Sequence, residues 1–181
     1  MRLWILVPAL LTLAACGGRV RYTYTQQNVY TQTNLHIDER GNLWSMNYIE
    51  GTVLPRCTAV HIDAVSTKKL VFTVQSSRVS YEYAFDRRHM KEEIPQHLNR
   101  YFGPACDAEK PASMGEADQA GIRDGRIYAG MSKEGVLMAV GYPPPSRNPT
   151  LESNTWVYMK NRKNTLEIIF VDGFVQYLRE Q

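Results

Sequence analysis

Gly130-Met131-Ser132-Lys133-Glu134-Gly135-Val136-Leu137-Met138-Ala139-Val140-Gly141-Tyr142-Pro143 is the stretch that decides the fold. Ser132 reads as an N-cap, because its hydroxyl can accept one of the backbone N–H groups that a first helical turn leaves unpaired. A helix is predicted over Lys133–Val140, with Val136, Leu137 and Val140 on its apolar face. Gly141 relieves the helix end, and Pro143 prevents its continuation. Downstream lies a proline-rich loop over residues 142–149, then strands. Trp156 and Tyr158 share one face, as do Leu166, Ile168 and Phe170, and Asp172-Gly173 is a strong hairpin signal leading into Phe174 to Leu178. Upstream, Ser113-Met114-Gly115-Glu116 fits a capping box for a helix running to Asp124, with Gly125 as its stop. The order α-α-β-β-β predicts helices on one face of an antiparallel sheet, an α+β fold.

Further upstream the pattern is β. Val29, Thr31, Thr33, Leu35 and Ile37 alternate along one predicted strand, and Asp38 to Asn42 turns around Gly41. Trp44, Met46 and Tyr48 then alternate, followed by Val60, Ile62 and Ala64, by Leu70, Phe72 and Val74, and by Val79, Tyr81, Tyr83 and Phe85. Such spacing predicts a small antiparallel sheet or barrel. Leu54-Pro55-Arg56-Cys57-Thr58-Ala59-Val60 resembles the opening strand of SH3-like barrels. Ile94, Leu98 and Tyr101 or Phe102 recur at helical spacing, with Pro95 tolerable in a first turn and Gly103-Pro104 as a stop. The expected organisation is a leader over 1–15, a tether over 16–27, a β unit with a closing helix over 28–103, a linker over 104–112 and the α+β unit over 113–181.

The leader reading rests on Arg2, a short apolar stretch and Leu13-Ala14-Ala15-Cys16. That stretch is too short to span a bilayer, which needs about 20 apolar residues. A cysteine directly after small residues resembles the lipobox of bacterial lipoproteins. The resemblance implies cleavage before Cys16, diacylation of its thiol and acylation of the new amine. Each buried methylene contributes about 0.8 kcal/mol, and two or more chains anchor stably. Gly17 is not the aspartate that favours inner-membrane retention, so the implied address is the outer membrane, facing the periplasm.

The chain has 181 residues and a formal net charge of +3. So small an excess argues against a nucleic-acid partner and against a polybasic membrane patch. With Cys16 acylated, Cys57 and Cys106 remain as an even pair. An oxidising periplasm favours a Cys57–Cys106 disulfide. Two separate thiols and a nucleophilic cysteine stand beside that reading, although neither cysteine sits in a local thiol-enzyme signature.

The second unit resembles the SmpA/OmlA (BamE-like) family of envelope lipoproteins. The resemblance is carried by Gly130 to Glu134, Val136, Gly141-Tyr142-Pro143, Trp156-Val157-Tyr158 and Ile169-Phe170 ahead of Asp172-Gly173. It covers roughly Ser113 to Leu178 and implies a structural or accessory role at the outer membrane. The aspartate-centred segment ahead of the family's first helix has no counterpart here, and the β unit is an addition.

Little in the chain points to catalysis. His36, His61, His89 and His97 lack ligand spacing, so no metal is expected, and His36 and His61 are predicted to face solvent. No nucleophile elbow, P-loop or dinucleotide fingerprint occurs, so no cofactor and no enzyme is expected. The partner-binding expectation falls on Tyr142, Pro143, Pro144, Pro145 and Arg147, with Trp156 and Tyr158 nearby, since a pre-extended proline segment loses little entropy on binding. The resulting expectation is a lipid-anchored, non-enzymatic scaffold or accessory subunit with an envelope protein partner. A peptide- or peptidoglycan-binding module built on the β unit is the first alternative, and an enzyme inhibitor or undetected enzyme the second.

Overall fold

The computed structural model describes residues 28–181. The leader, the tether and Cys16 lie outside the described residues. The fold is α+β, with three helices and eleven strands, β1 to β11, among the described residues.

The first sheet has six strands in the order β3-β7-β6-β5-β1-β8. They are β1 (Val29–Thr31), β3 (Asn42–Trp44), β5 (Ala59–Val65), β6 (Lys69–Val74), β7 (Ser80–Ala84) and β8 (Phe102–Gly103). Neighbours run antiparallel except β3 and β7, which are parallel. Strand β3 reaches this edge from a preceding turn and not by a hairpin from β7, so antiparallel pairing is not imposed on it. Helix α1 (Ile94–Tyr101) carries Pro95 in its first turn and buries Ile94, Leu98 and Tyr101 against Leu43, Leu70, Phe72 and Tyr83. His97 is buried on the same helix, between the Glu92 carboxylate and the Tyr83 hydroxyl at 2.8 Å each.

The single alternating strand expected over residues 29–37 is two strands. Strand β2 (Leu35–Ile37) leaves the first sheet and pairs with β4 (Thr52–Leu54). The break has a polar cause. Gln32 N–H donates to Tyr101 O at 2.8 Å, and Asn34 N–H donates to Met138 O at 2.9 Å. The buried Asn34 amide also donates to Ile122 O and Ala139 O. The Gln32 bond continues the register of β1 with β8, whereas the Asn34 bonds carry the chain to the carbonyls of Ile122, Met138 and Ala139, because a buried carbonyl left unpaired is expensive.

In the second cluster, α2 (Glu116–Asp124) and α3 (Lys133–Val140) lie against an antiparallel sheet of β9 (Thr155–Met159), β10 (Thr165–Val171) and β11 (Phe174–Glu180), ordered β11-β10-β9. Trp156, Tyr158, Leu166, Ile168, Phe170 and Val175 are buried with Val136 and Val140. The Trp156 and Phe170 rings meet edge to face at 4.7 Å. Asp172 and Gly173 both have positive φ, 51° and 84°, as a type I′ hairpin turn requires. Ser132 Oγ accepts from Gly135 N–H at 3.0 Å, so this cap forms as predicted. The capping box at Ser113 does not form. Ser113 closes a 3-10 turn over Lys110–Ser113, its hydroxyl donates to Lys110 O at 2.8 Å, and Gly115 becomes the N-cap of α2 without a side-chain bond.

The two clusters are joined by buried polar side chains. Besides Asn34, the Asn47 amide donates to Val140 O at 2.7 Å and Tyr142 O at 2.8 Å. His36 is buried, not solvent-facing, with Nε2 3.0 Å from Gly125 O, because β2 packs against the end of α2. Among the described residues no helix is long and apolar enough to cross a membrane.

A candidate recognition groove at the junction

A groove of about 440 Å³ opens where the two clusters meet. One wall is the turn after β2 together with Trp44 and Tyr48; the other is the turn over residues 160–162 that follows β9. The walls are held together by backbone. Tyr48 and Met159 form a parallel bridge, Ile49 N–H donates to Met159 O at 3.1 Å, and Glu50 N–H donates to Lys160 O at 3.2 Å.

Asp38 sets the geometry of the first wall. Its Oδ1 accepts N–H groups from Arg40 at 2.9 Å and Asn42 at 2.8 Å, an Asx-type turn, and its Oδ2 accepts the Trp44 indole N–H at 2.9 Å. Burial alone would raise the Asp38 pKa; the bonds from Trp44, Asn42 and Arg40 outweigh it and hold the carboxyl below its ordinary value. The Arg162 guanidinium lies 4.7 Å from the centre of the Trp44 ring, which is 6.2 Å from the Tyr48 ring. Burial raises the Tyr48 pKa, Arg162 opposes the rise and Asp86 adds to it. Lys160 sits between Glu180 at 2.7 Å and Glu50 at 3.3 Å, and the bond to Glu180 is the main reason its pKa is raised. The lining therefore offers aromatic faces edged by charges of both signs, a chemistry suited to recognition.

The residues predicted as a partner surface are placed differently. Trp156 and Tyr158 are 1% and 0% exposed, and the Tyr158 hydroxyl donates to Gly141 O at 2.7 Å. Both are core side chains and present no face to a partner, because the sheet turns this side toward α3. Pro143 and Pro144 are buried, Tyr142 and Pro145 half-buried, and Arg147 exposed. The loop is fastened to β9 by Asn148, whose amide donates to Val157 O at 2.9 Å and to Pro144 O at 3.0 Å while its oxygen accepts Val157 N–H at 2.8 Å. Tyr142 packs edge to face on Tyr101 at 5.8 Å, with the Arg100 guanidinium 5.1 Å from its ring. Cys57 and Cys106 are disulfide-bonded, with Cα atoms 5.3 Å apart. Among the described residues no group of three His, Cys, Asp or Glu side chains is arranged to hold a metal ion.

Sequence reading alone missed the groove. Its first wall left one signal, an aspartate followed by Asn42 and Trp44 at the turn, and its second left the polar, basic turn Lys160-Asn161-Arg162-Lys163-Asn164. Nothing local shows that these turns meet. No protein-family model, curated protein or solved structure matches the chain.

Proposed function

We propose that this protein is a lipid-anchored envelope lipoprotein that acts as a non-enzymatic scaffold or accessory subunit in outer-membrane maintenance or assembly. The observation that carries the reading is Leu13-Ala14-Ala15-Cys16 behind a short apolar stretch. The Cys57–Cys106 bridge supports it independently, because structural disulfides persist in oxidising compartments such as the periplasm. The order α2-α3-β9-β10-β11, with both helices on one sheet face, supports a BamE-like second unit. An SH3-like relationship for the first unit rests on its alternating strands and the proline before Cys57. Anchoring confines the body to a surface and raises its effective concentration toward membrane partners. The Trp44–Arg162 groove is the surface we assign to such a partner.

Lipidation and role are tested separately. Intact mass of the native protein should show acylation at Cys16, and Cys16→Ala should release the protein from the membrane fraction. Native lipidated protein should co-purify with an envelope partner, and Trp44→Ala should weaken that association. Recovery of a water-soluble, unacylated chain would overturn the anchoring; recovery without a partner under conditions that preserve known envelope complexes would overturn the scaffold role.

A second reading is favoured by the same groove. Trp44 and Tyr48 beside Glu50, Asn161 and Arg162 also suit a cell-wall glycan or peptide. Retention of the full chain on purified peptidoglycan, lost in Trp44→Ala, would select this reading over the scaffold.

A further inference from the structure

We infer that the cavity beside the Cys57–Cys106 bridge is a binding site for a small oxyanion, a carboxylate or a phosphate group, held by Arg56 and assisted by Arg123. This site is separate from the groove and does not depend on its assignment.

The cavity measures about 230 Å³, smaller than the sites that enclose drug-sized ligands. Its apolar lining comes from Pro55, Ala108, Pro111 and Ile122, and among the described residues its charged lining groups are the two arginines. Arg56 is half-buried, and its Nε is fully buried with no hydrogen-bond partner among the described residues. One terminal nitrogen, Nη2, donates to the backbone carbonyl of Asp107 at 2.8 Å. The Asn34 side chain, which also lines the cavity, makes no hydrogen bond to Nε. Its oxygen accepts Arg56 N–H at 2.9 Å, and its amide is spent on Ile122 O and Ala139 O.

Charge points the same way. Burial lowers the Arg56 pKa, and Asp107 partly opposes that shift. Asp107 Oδ1 already accepts the N–H groups of Glu109 and Lys110 at 3.1 Å. An arginine remains a cation throughout the physiological range, so its desolvation is not relieved by proton loss. A buried water would satisfy the orphan N–H without adding to the partial charge compensation from Asp107. An oxyanion does both, and the flat guanidinium edge that includes Nε–H fits two oxygens at once. Arg123 stands at the rim, its side chain 71% exposed; among the described residues its ion pair is with the adjacent Asp124 at 3.0 Å, an exposed contact for which the ligand competes. The apolar lining accommodates a short carbon chain on a carboxylate.

The test uses the isotopically labelled full chain with its disulfide intact. Arginine Nε–Hε signals are followed by NMR during titration with phosphate, acetate and, at matched ionic strength, chloride. The Arg56 signal, assigned through its own side-chain connectivity, should shift saturably with phosphate or acetate and not with chloride. Whichever anion saturates at lower concentration identifies the source class. Arg123→Gln, a surface change that leaves the fold intact, should weaken the binding about tenfold. Arg56→Lys keeps the charge without the fork and, followed on the backbone amide signals of the lining residues Cys57 and Ala108, which are read in the parent as well, should abolish saturation. Linear shifts equal to those with chloride would overturn the inference, as would saturation undiminished in both variants.

Discussion

The Asp118 carboxylate binds Ser132 twice: Oδ1 accepts its backbone N–H at 2.8 Å, and Oδ2 accepts its hydroxyl at 3.0 Å. Ser132 Oγ in turn accepts Gly135 N–H. A buried side chain of α2 thereby locks the cap of α3, and the α-α unit is held by a polar relay as well as by apolar packing. Asp118→Ala leaves the Ser132 N–H without this partner in a largely dry site. The variant should lose about 2–3 kcal/mol of stability, read as a lower urea midpoint. A loss under about 0.5 kcal/mol, typical of a surface change, would show that the relay is not structural.

Gly135 is required for a reason that its helical position hides. A Cβ there would overlap the Asp118 carboxylate. Alanine normally favours a helix by up to about 1 kcal/mol over glycine. Here Gly135→Ala should destabilise by about 2 kcal/mol, since steric overlap outweighs propensity. Removing the obstacle should restore the ordinary preference, so Asp118→Ala with Gly135→Ala should cost clearly less than the sum of the single changes. Additive midpoints in a double-mutant cycle would count against the overlap.

What the sequence revealed is local. The Ser132 cap, the Gly125 and Gly141 stops, and the Asp172-Gly173 turn each depend on residues within one turn of themselves. Strand faces were legible because alternation survives any packing partner, hence the correct pairing of Trp156 with Tyr158 on one face. Their exposure was not legible, because alternation does not say which face meets a helix. Asn34, His36, Asn47 and Asp118 were invisible for a related reason. Each acts on a carbonyl or N–H well removed in the chain, and a polar residue in an alternating stretch, or on a short helix in the case of Asp118, reads as solvent-facing. The capping box at Ser113 was a plausible local signal, yet the hydroxyl bonds to Lys110 O within its own turn. The groove needs two turns separated by most of the chain, so only the fold could assemble it.

His36 supplies a pH dependence with a definite sign. Burial lowers its pKa from 6.5, and the bond to Gly125 O only partly offsets this. With Nε2–H donating to that carbonyl, Nδ1 is buried and unpartnered. Protonation would add a charge and turn Nδ1 into an orphan donor. The folded state therefore binds fewer protons at this site than the unfolded state does, so its contribution is present above about pH 6.5 and is lost as pH falls through and below that value. Urea midpoints measured between about pH 5 and 7.5 should fall toward acid in the parent and fall less steeply in His36→Gln. Parallel profiles would remove His36 as the source.

The Cys57–Cys106 bridge joins residues 49 apart and fastens the segment after β8 to the start of β5. A loop of that length contributes about 4 kcal/mol in the chain-entropy model, and bridges typically deliver about 2–4 kcal/mol. Reduction, or Cys57→Ser with Cys106→Ser, should lower stability within that range, measured by denaturant melts under matched conditions. An unchanged midpoint after complete reduction, verified by thiol titration, would mean that the remaining contacts already hold the segment.

Lys133 is an unexpected first residue for α3, since a cation at a helix N-terminus opposes the macrodipole. Its surroundings explain it. The ammonium donates to Ser153 O at 2.8 Å, Glu152 O at 2.9 Å and Leu151 O at 3.3 Å, and lies 5.6 Å and 5.4 Å from the Trp156 and Phe170 ring centres. Three converging carbonyls match the three donors of an ammonium, and the rings below complete the cation's shell. Lys133→Met should remove a cation that opposes the dipole, worth about 0.3–1 kcal/mol, but strand three carbonyls and forfeit the ring contact. The second effect is larger, so a net loss of about 1–2 kcal/mol is expected, with a changed Trp156 fluorescence. Lys133→Arg should not restore stability, because a planar fork cannot aim its donors at one point. Rescue by arginine, or a methionine variant as stable as the parent, would show that charge or stem packing alone accounts for this residue.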